Sequence, residues 1–284
     1  MYAAVDIGGT KTLIAVFDAT GKLLEQQKFP TPKNYEEFLS EVSVSVAKLS
    51  TDDFQAAGVA IPGKVDRKHG RGLVFGNLPW ENVPIQADME RILKCPVVVE
   101  NDANLAGLSE ALYVKHEYNK VLYVTVSTGI GGGYITDGMI NPTFEDAEIG
   151  QILLEHEGKL QRWEDFASGR AIVAKFGKKA FEIEDPQDWY IISRNIAIGL
   201  IDLIATLTPE AIVLGGGVGG NLPKFKNRLV EQLKIYENPM ITVPPILEAK
   251  HPEEAVIYGC YELAKIQHHK RHEQARAHHA DLTR

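Results

Sequence analysis

Three glycine-rich segments and one amide–acid pair carry the chemistry open to this sequence. Asp6-Ile7-Gly8-Gly9-Thr10-Lys11 lies where one apolar run, AAVDI, ends and another, TLIAVF, begins. Glycines at such a turn let backbone N–H groups approach phosphate oxygens, while Thr10 adds a hydroxyl donor and Lys11 a positive charge. Asp6 is suited to a hydrated Mg²⁺, an ion that keeps several waters and takes few carboxylates. The same residues would also form a plain tight hairpin with a solvated lysine. A Walker A loop is excluded, because no G-K-[ST] occurs and a strand rather than a helix follows.

Ser127-Thr128-Gly129-Ile130-Gly131-Gly132-Gly133 repeats this arrangement in the second half, as either a flexible turn or a second phosphate cradle. The third segment, Leu214 to Gly220, follows the strand pattern AIV and precedes a helix expected near Pro223. Its G-x-G-x-x-G spacing admits a dinucleotide fold, but it comes late, and no acidic residue ends a clear second strand about twenty residues on. Gly216 and Gly217 would equally let an adenine ring lie flat on bare backbone.

Pro96-Val97-Val98-Val99-Glu100-Asn101-Asp102 ends a strand with an amide and a carboxylate at a helix start. Both are favoured N-caps, and capping needs only one of them. A sugar hydroxyl needs a carboxylate to accept its proton as the bond to phosphorus forms, and Asp102 could act so without a raised pKa, because in a loose transition state the proton moves late. Capping and catalysis both remain open on these residues alone.

The elements that must position these groups follow from periodicity. AAVDI, TLIAVFD, KLLEQQKF, AAGVAI and PVVVE read as strands, with a helix from Tyr35 to Leu49 and another after Asp102. KVLYVTV restarts a strand at Val121, and GGYITDGMI turns at Asp137-Gly138. Two strand, glycine-loop, strand units half a chain apart hint at duplication. Beyond them come helical stretches from Trp163 to Phe181 and Tyr190 to Leu207, and a last helix after Pro252. An α/β fold in two domains is expected, 1–115 and 116–253, with a helix over about 254–270 returning to the first domain and a polar tail, 271–284, frayed or disordered. That tail and the helix end before it hold His268, His269, His272, His278 and His279, which read as a solvated helix end before a metal site.

The 284 residues, 44% hydrophobic and 24% charged, suffice for a sizeable core. A net charge of −8 argues against a nucleic-acid partner. Cys95 and Cys260 form no C-x-x-C pair, which fits a reducing, cytoplasmic setting. Tyr2 to Ile7 enters a strand pattern directly, so neither a leader nor an N-terminal DNA-binding module is expected. No apolar run reads as long enough to cross a bilayer.

Taken in order, DIGGTK (6–11), IPGKVD (61–66), ENDANLAG (100–107), STGIGGG (127–133), EIGQ (148–151), ASG (167–169) and LGGG (214–217) resemble the ROK family of bacterial sugar kinases and repressors. The resemblance spans nearly the whole chain. It implies the actin-like ATPase (ribonuclease H-like) fold, two α/β domains with a cleft for ATP and Mg²⁺, a hexose acceptor and a homodimer. It implies Asp102 as general base. Asp6, Gly8, Gly9, Thr10, Lys11, Ser127, Thr128, Gly129, Gly216 and Gly217 would surround metal, phosphates and adenosine. Gly63, Asn77, Asn101, Asp102, Glu148, Gln151 and Glu164 would face the sugar.

Two departures stand out. The family's E-x-G-H reads Glu148-Ile149-Gly150-Gln151, and its cysteine-rich zinc segment is replaced by LLEHEGKLQRWEDF. His156 alone cannot build a closed tetrahedral site, so no zinc is expected. Relatives without zinc include polyphosphate-dependent glucokinases, which leaves the donor open. The rival readings are a sugar sensor or regulator of the same family and an actin-like ATPase without a sugar pocket.

Overall fold

The computed structural model describes residues 1–252 and 254–282. The chain divides into two compact units, Met1–Ser109 with Val256–Arg284, and Glu110–Ala255. The first unit runs β1 (Tyr2–Ile7), β2 (Lys11–Phe17), β3 (Leu23–Pro30), α1 (Tyr35–Val46), β4 (Ala56–Ile61), β5 (Gly63–Asp66), β6 (Arg71–Phe75), β7 (Glu81–Val83), α2 (Ile85–Leu93), β8 (Val97–Asn101) and the start of α3 (Asp102–Val114). Asn34 caps α1 by accepting the Glu37 N–H at 3.0 Å, and Glu36 and Glu37 complement the helix dipole in its first turn.

The main sheet has the order β3-β2-β1-β4-β8, antiparallel across β3, β2 and β1 and parallel across β1, β4 and β8. β5, β6 and β7 form a small antiparallel sheet of their own. Val5, Ile7, Ile14, Val59 and Ile61 from the main sheet close a core with Phe38, Val42, Trp80 and Met89.

The second unit continues with β9 (Lys120–Val126), β10 (Ile130–Thr136), β11 (Met139–Ile140), β12 (Leu153–His156), β13 (Lys159–Arg162), α4 (Trp163–Ala167), α5 (Gly169–Phe176), α6 (Pro186–Leu207), β14 (Ala211–Gly215), α7 (Gly216–Gly219), α8 (Leu222–Lys234) and β15 (Ile246–Glu248). Its sheet order, β11-β10-β9-β14-β15, has the same pattern of antiparallel and parallel pairs as the first. The hinted duplication is therefore one of topology: β1 and β9 occupy equivalent places, and each ends in a glycine loop. Asp137 and Gly138, both at positive φ, make the turn between β10 and β11.

The chain passes between units inside α3, after Ser109. Glu110 explains this, because its buried carboxylate accepts the backbone N–H groups of Lys250 at 2.7 Å and His251 at 2.8 Å, tying the last turn of α3 to the second unit. α9 (Ala255–Leu282) returns to the first unit, where Tyr261 stacks on Phe17 at 5.0 Å and the Cys260 thiol reaches the Val5 carbonyl. Its backbone is helical through Leu282, and the side chains of His278 and His279 lie outside the described residues.

Two sequence expectations need correction. The apolar stretch from Trp163 to Phe181 is broken at Ser168, whose hydroxyl caps α5 by accepting the Ala171 N–H. By length and composition α6 is long enough and apolar enough to cross a membrane. It instead supplies Trp189, Ile192, Ile196, Leu200 and Leu203 to the core of the second unit.

Candidate functional site

In the first unit Asp6 sits partly buried at the end of β1. Burial pushes its carboxyl up to about 7, the negative charge of Asp102 adds to the rise, and Lys11 and Lys28 oppose it. Asp6 and Asp102 thus belong to one electrostatic site. Two carboxylates that raise each other's cost of ionisation suit a divalent cation, which would relieve the repulsion.

The loop after Asp6 is closed by the Gly8 N–H on the Lys11 carbonyl at 3.0 Å. It is braced from the end of β3, where the Thr31 hydroxyl donates to the Gly8 carbonyl at 2.8 Å and the Thr31 N–H to the Thr10 carbonyl at 3.0 Å. Gly9 lies against Asn77, and a Cβ there would fall 2.6 Å from that of Asn77, so the approach requires glycine. Thr10 and the Lys11 side chain are exposed.

At the β8–α3 junction Asn101 and Asp102 both bond to the first turn of α3. Asn101 Oδ1 accepts the N–H groups of Ala103 at 2.9 Å and Asn104 at 3.2 Å, while its Nδ2 donates to the Gly63 carbonyl at 3.0 Å. Asn101 is thus the cap of α3 and its link to Gly63. Asp102 Oδ1 also accepts the Ala103 N–H, at 2.8 Å.

Beneath this turn Glu100, 4% exposed, receives Arg67 at two points, Nε at 2.7 Å and Nη2 at 2.5 Å. The same carboxylate accepts the Asn101 N–H at 2.7 Å and Asn104 Nδ2 at 3.0 Å.

In the second unit the loop between β9 and β10 is closed by the Ser127 N–H on the Gly129 carbonyl at 2.9 Å, leaving Ser127 and Thr128 exposed. The Gly169 N–H at the start of α5 donates back to the Ser127 carbonyl at 2.6 Å. Gln151 Nε2 donates to Glu164 Oε1 at 2.8 Å, and the Ile130 N–H approaches Glu164 Oε2 at 3.4 Å. Glu148 is exposed one turn before Gln151, whose N–H bonds to its carbonyl. Gln151 and Glu164 therefore meet beside the second glycine loop, and Glu148 is tied to Gln151 through its backbone.

The third loop leaves β14 at Gly216, where φ is 77° and a Cβ would fall 2.6 Å from Thr125 Oγ1, so only glycine fits. Gly217 is exposed with open space over its Cα, and Asn221 Nδ2 holds its carbonyl at 2.9 Å. A flat aromatic group could approach that backbone. The antiparallel β9–β10 hairpin beside β14 is not a doubly wound dinucleotide fold.

The model of the ROK family matches residues 2–267. This chain belongs to the ROK family. A putative fructokinase of Bacillus subtilis is 32% identical in an alignment of 235 positions that covers 77% of each chain. Among solved structures, a ROK family glucokinase from Streptomyces griseus in complex with glucose and AMPPNP matches with a TM-score of 0.75 and 27% identity, covering 93% of this chain and 99% of that one. An inorganic polyphosphate/ATP-glucomannokinase from an Arthrobacter species matches with a TM-score of 0.71 and 29% identity, covering 95% and 98%. The ROK fold of this chain is the actin-like ATPase fold.

Where the ROK pattern departs, the segment LLEHEGKLQRWEDF folds as the hairpin β12–β13 leading into α4. His156 stacks on Phe166, with ring centroids 4.1 Å apart, and its Nε2 pairs with Asn195 Oδ1 at 3.3 Å. Asn195 Nδ2 donates to the Phe166 carbonyl, which fixes Oδ1 as an acceptor and so places the histidine proton on Nε2. His156 Nδ1 is buried without a hydrogen bond. Asn195 also accepts from Trp163 Nε1 through its backbone carbonyl, so the start of α4, which carries Glu164, is held by polar bonds from α6. Among the described residues no three His, Cys, Asp or Glu side chains are grouped to hold a metal ion.

Sequence reasoning missed Lys33, Arg67, Glu100 and Asn195. Only Glu100 left a signal, as an acid within a buried apolar run that needs a partner.

Proposed function

We propose that this chain is a sugar kinase that moves the γ-phosphoryl group of ATP to the 6-hydroxyl of a hexose, glucose, a close epimer or an N-acetylhexosamine. The observation that carries the reading is the sharing of the α3 start: Asn101 Oδ1 already accepts the N–H groups of both Ala103 and Asn104, so the bond from Ala103 to Asp102 Oδ1 is not needed to cap the helix. Asp102 takes the hydroxyl proton as the oxygen–phosphorus bond forms and the bond from phosphorus to the ADP oxygen breaks, leaving ADP and a protonated Asp102 that returns its proton to water.

Gly63, Asn77, Asn101 and Asp102, with Glu148, Gln151 and Glu164 of the second unit, are the hydroxyl partners. Gly8, Gly9, Thr10, Lys11, Ser127, Thr128 and Gly129 serve the phosphates, and Gly216 and Gly217 the adenosine. Asp6 would hold a hydrated Mg²⁺, which when bound neutralises phosphate charge. A cytoplasmic homodimer, with domains near 1–115 and 116–253, completes the proposal.

A second reading concerns the donor alone. The 29% identity to a polyphosphate/ATP-glucomannokinase favours testing inorganic polyphosphate beside ATP. The experiment is a coupled ADP-release screen over a hexose panel, repeated with polyphosphate by direct detection of sugar phosphate. Sugar-dependent turnover supports the kinase. Sugar binding without turnover on either donor would replace it with a sensor, and sugar-independent hydrolysis with an ATPase.

A further inference from the structure

Lys33 is exposed, follows β3, and makes no ion pair among the described residues. Its ammonium is nevertheless held in place, donating to the Gly9 carbonyl at 3.1 Å and the Asn77 carbonyl at 2.8 Å. Its own carbonyl accepts Trp80 Nε1 at 2.8 Å. Trp80 is 3% exposed and locked among Phe38, Tyr35 and Phe75 at centroid distances of 4.6, 5.2 and 5.2 Å. The aromatic cluster therefore fixes the backbone from which the lysine reaches out.

An ammonium has three N–H donors, and two are used on carbonyls. The two carbonyls belong to the glycine loop assigned to donor phosphates and to the residue assigned to the acceptor sugar. We infer that Lys33 is a ligand of the terminal phosphoryl group, directing its remaining N–H and its charge at the oxygens that pass from donor to acceptor. The inference rests on the sugar-kinase reading for the identity of the acceptor.

Charge favours such a group. Asp6 and Asp102 already repel each other, and a polyphosphate brings several more negative charges to the same loop. Phosphoryl transfer spreads charge over the three equatorial oxygens of the moving group, so fixed cations are worth most there. Lys11, the cation the sequence points to, has an exposed side chain at the start of β2, whereas Lys33 is tethered at Gly9 itself.

A purely structural role would be a bracket between the Gly9 loop and Asn77, and the test separates the two. Lys33→Met and Lys33→Arg are titrated calorimetrically with AMPPNP and with ADP, each with Mg²⁺, and assayed for kcat and both KM values. A terminal-phosphate ligand predicts AMPPNP affinity falling about tenfold in Lys33→Met with ADP affinity nearly unchanged, and kcat falling on the order of a hundredfold with partial recovery in Lys33→Arg. Equal weakening of both nucleotides, or no weakening with normal kcat, overturns the inference and leaves a bracket. If the wild-type chain binds AMPPNP but phosphorylates no sugar, the kinase reading fails while the nucleotide comparison still decides the role of Lys33. If it binds no nucleotide, tripolyphosphate against pyrophosphate provides the same comparison, and equal or absent loss again overturns the inference.

Discussion

Asp102 raises the proton affinity of Asp6, on top of the larger rise that burial imposes, so that Asp6 titrates near 7 instead of in the usual carboxylate range. In the metal-free protein the folded state then holds a proton on Asp6 that the unfolded chain releases at about 4. Between those values the native state binds more protons, so stability falls as pH rises through the window and is flat above it. Thermal unfolding of the metal-free protein should show a falling midpoint from pH 5 to pH 8. Asp6→Asn should flatten that fall, and Mg²⁺ at pH 8 should raise the wild-type midpoint more than that of the variant. An unchanged slope in Asp6→Asn would remove Asp6 from this account.

Asp102→Asn keeps the shape of the side chain and its acceptor for the Ala103 N–H but cannot take a proton. The loss should fall on kcat, by roughly a thousandfold, with sugar and nucleotide affinities little changed. Near-normal kcat would sink the assignment of the base.

The Glu100–Arg67 pair supports the same turn. Glu100→Ala would leave the Arg67 guanidinium, 22% exposed, without its two-point partner, and breaking a buried pair on one side costs about 3–5 kcal/mol. Arg67→Met with Glu100→Leu should recover much of the stability, because neither charge is then stranded. Activity should not return with it, because the acceptors for the Asn101 N–H and Asn104 Nδ2 are still missing. Recovery of both together would show that the pair acts only through stability.

These residues also show how far sequence reaches. The Asp137-Gly138 turn and the start of α3 are written in adjacent residues, and turn and capping chemistry read them directly. The break at Ser168 is equally local, but apolar periodicity on both sides hides it. The partnership of β1 with β4, and of β9 with β14, joins runs that nothing local pairs, so sheet order emerges only in three dimensions. Lys33 was illegible for the same reason: its partners, 24 and 44 residues away, are backbone carbonyls, which carry no residue-type signature.

Gln151 donates an uncharged N–H to Glu164, where a histidine would bring a titrating group. The sugar KM should therefore be nearly flat between pH 7 and 6 in the wild type and vary with pH in Gln151→His. The β12–β13 hairpin and the Asn195 bonds already brace α4, so activity should require Mg²⁺ and be indifferent to added zinc. Atomic emission on tag-free protein should find far less than one zinc per chain, and stoichiometric tight zinc would overturn that reading.

The last prediction concerns which hydroxyl is phosphorylated. Asn101 anchors to the Gly63 carbonyl, Asn77 stands against Gly9, and Gln151 is bonded to Glu164, so the proposed acceptor partners are held before any sugar arrives. A site built to hydrogen-bond each hydroxyl rejects analogues lacking one, because its own polar groups are left unpaired. With Asp102 as base, the primary 6-hydroxyl is the group expected to face it. The 6-deoxy sugar should then bind with its other hydroxyls satisfied, inhibit competitively and never turn over. Phosphorus-coupled NMR of the product should place phosphate on O6. Phosphate on O1 would mean that Asp102 faces the other end of the ring, and the assignments of Asn77, Asn101 and Glu164 would have to be reversed with it.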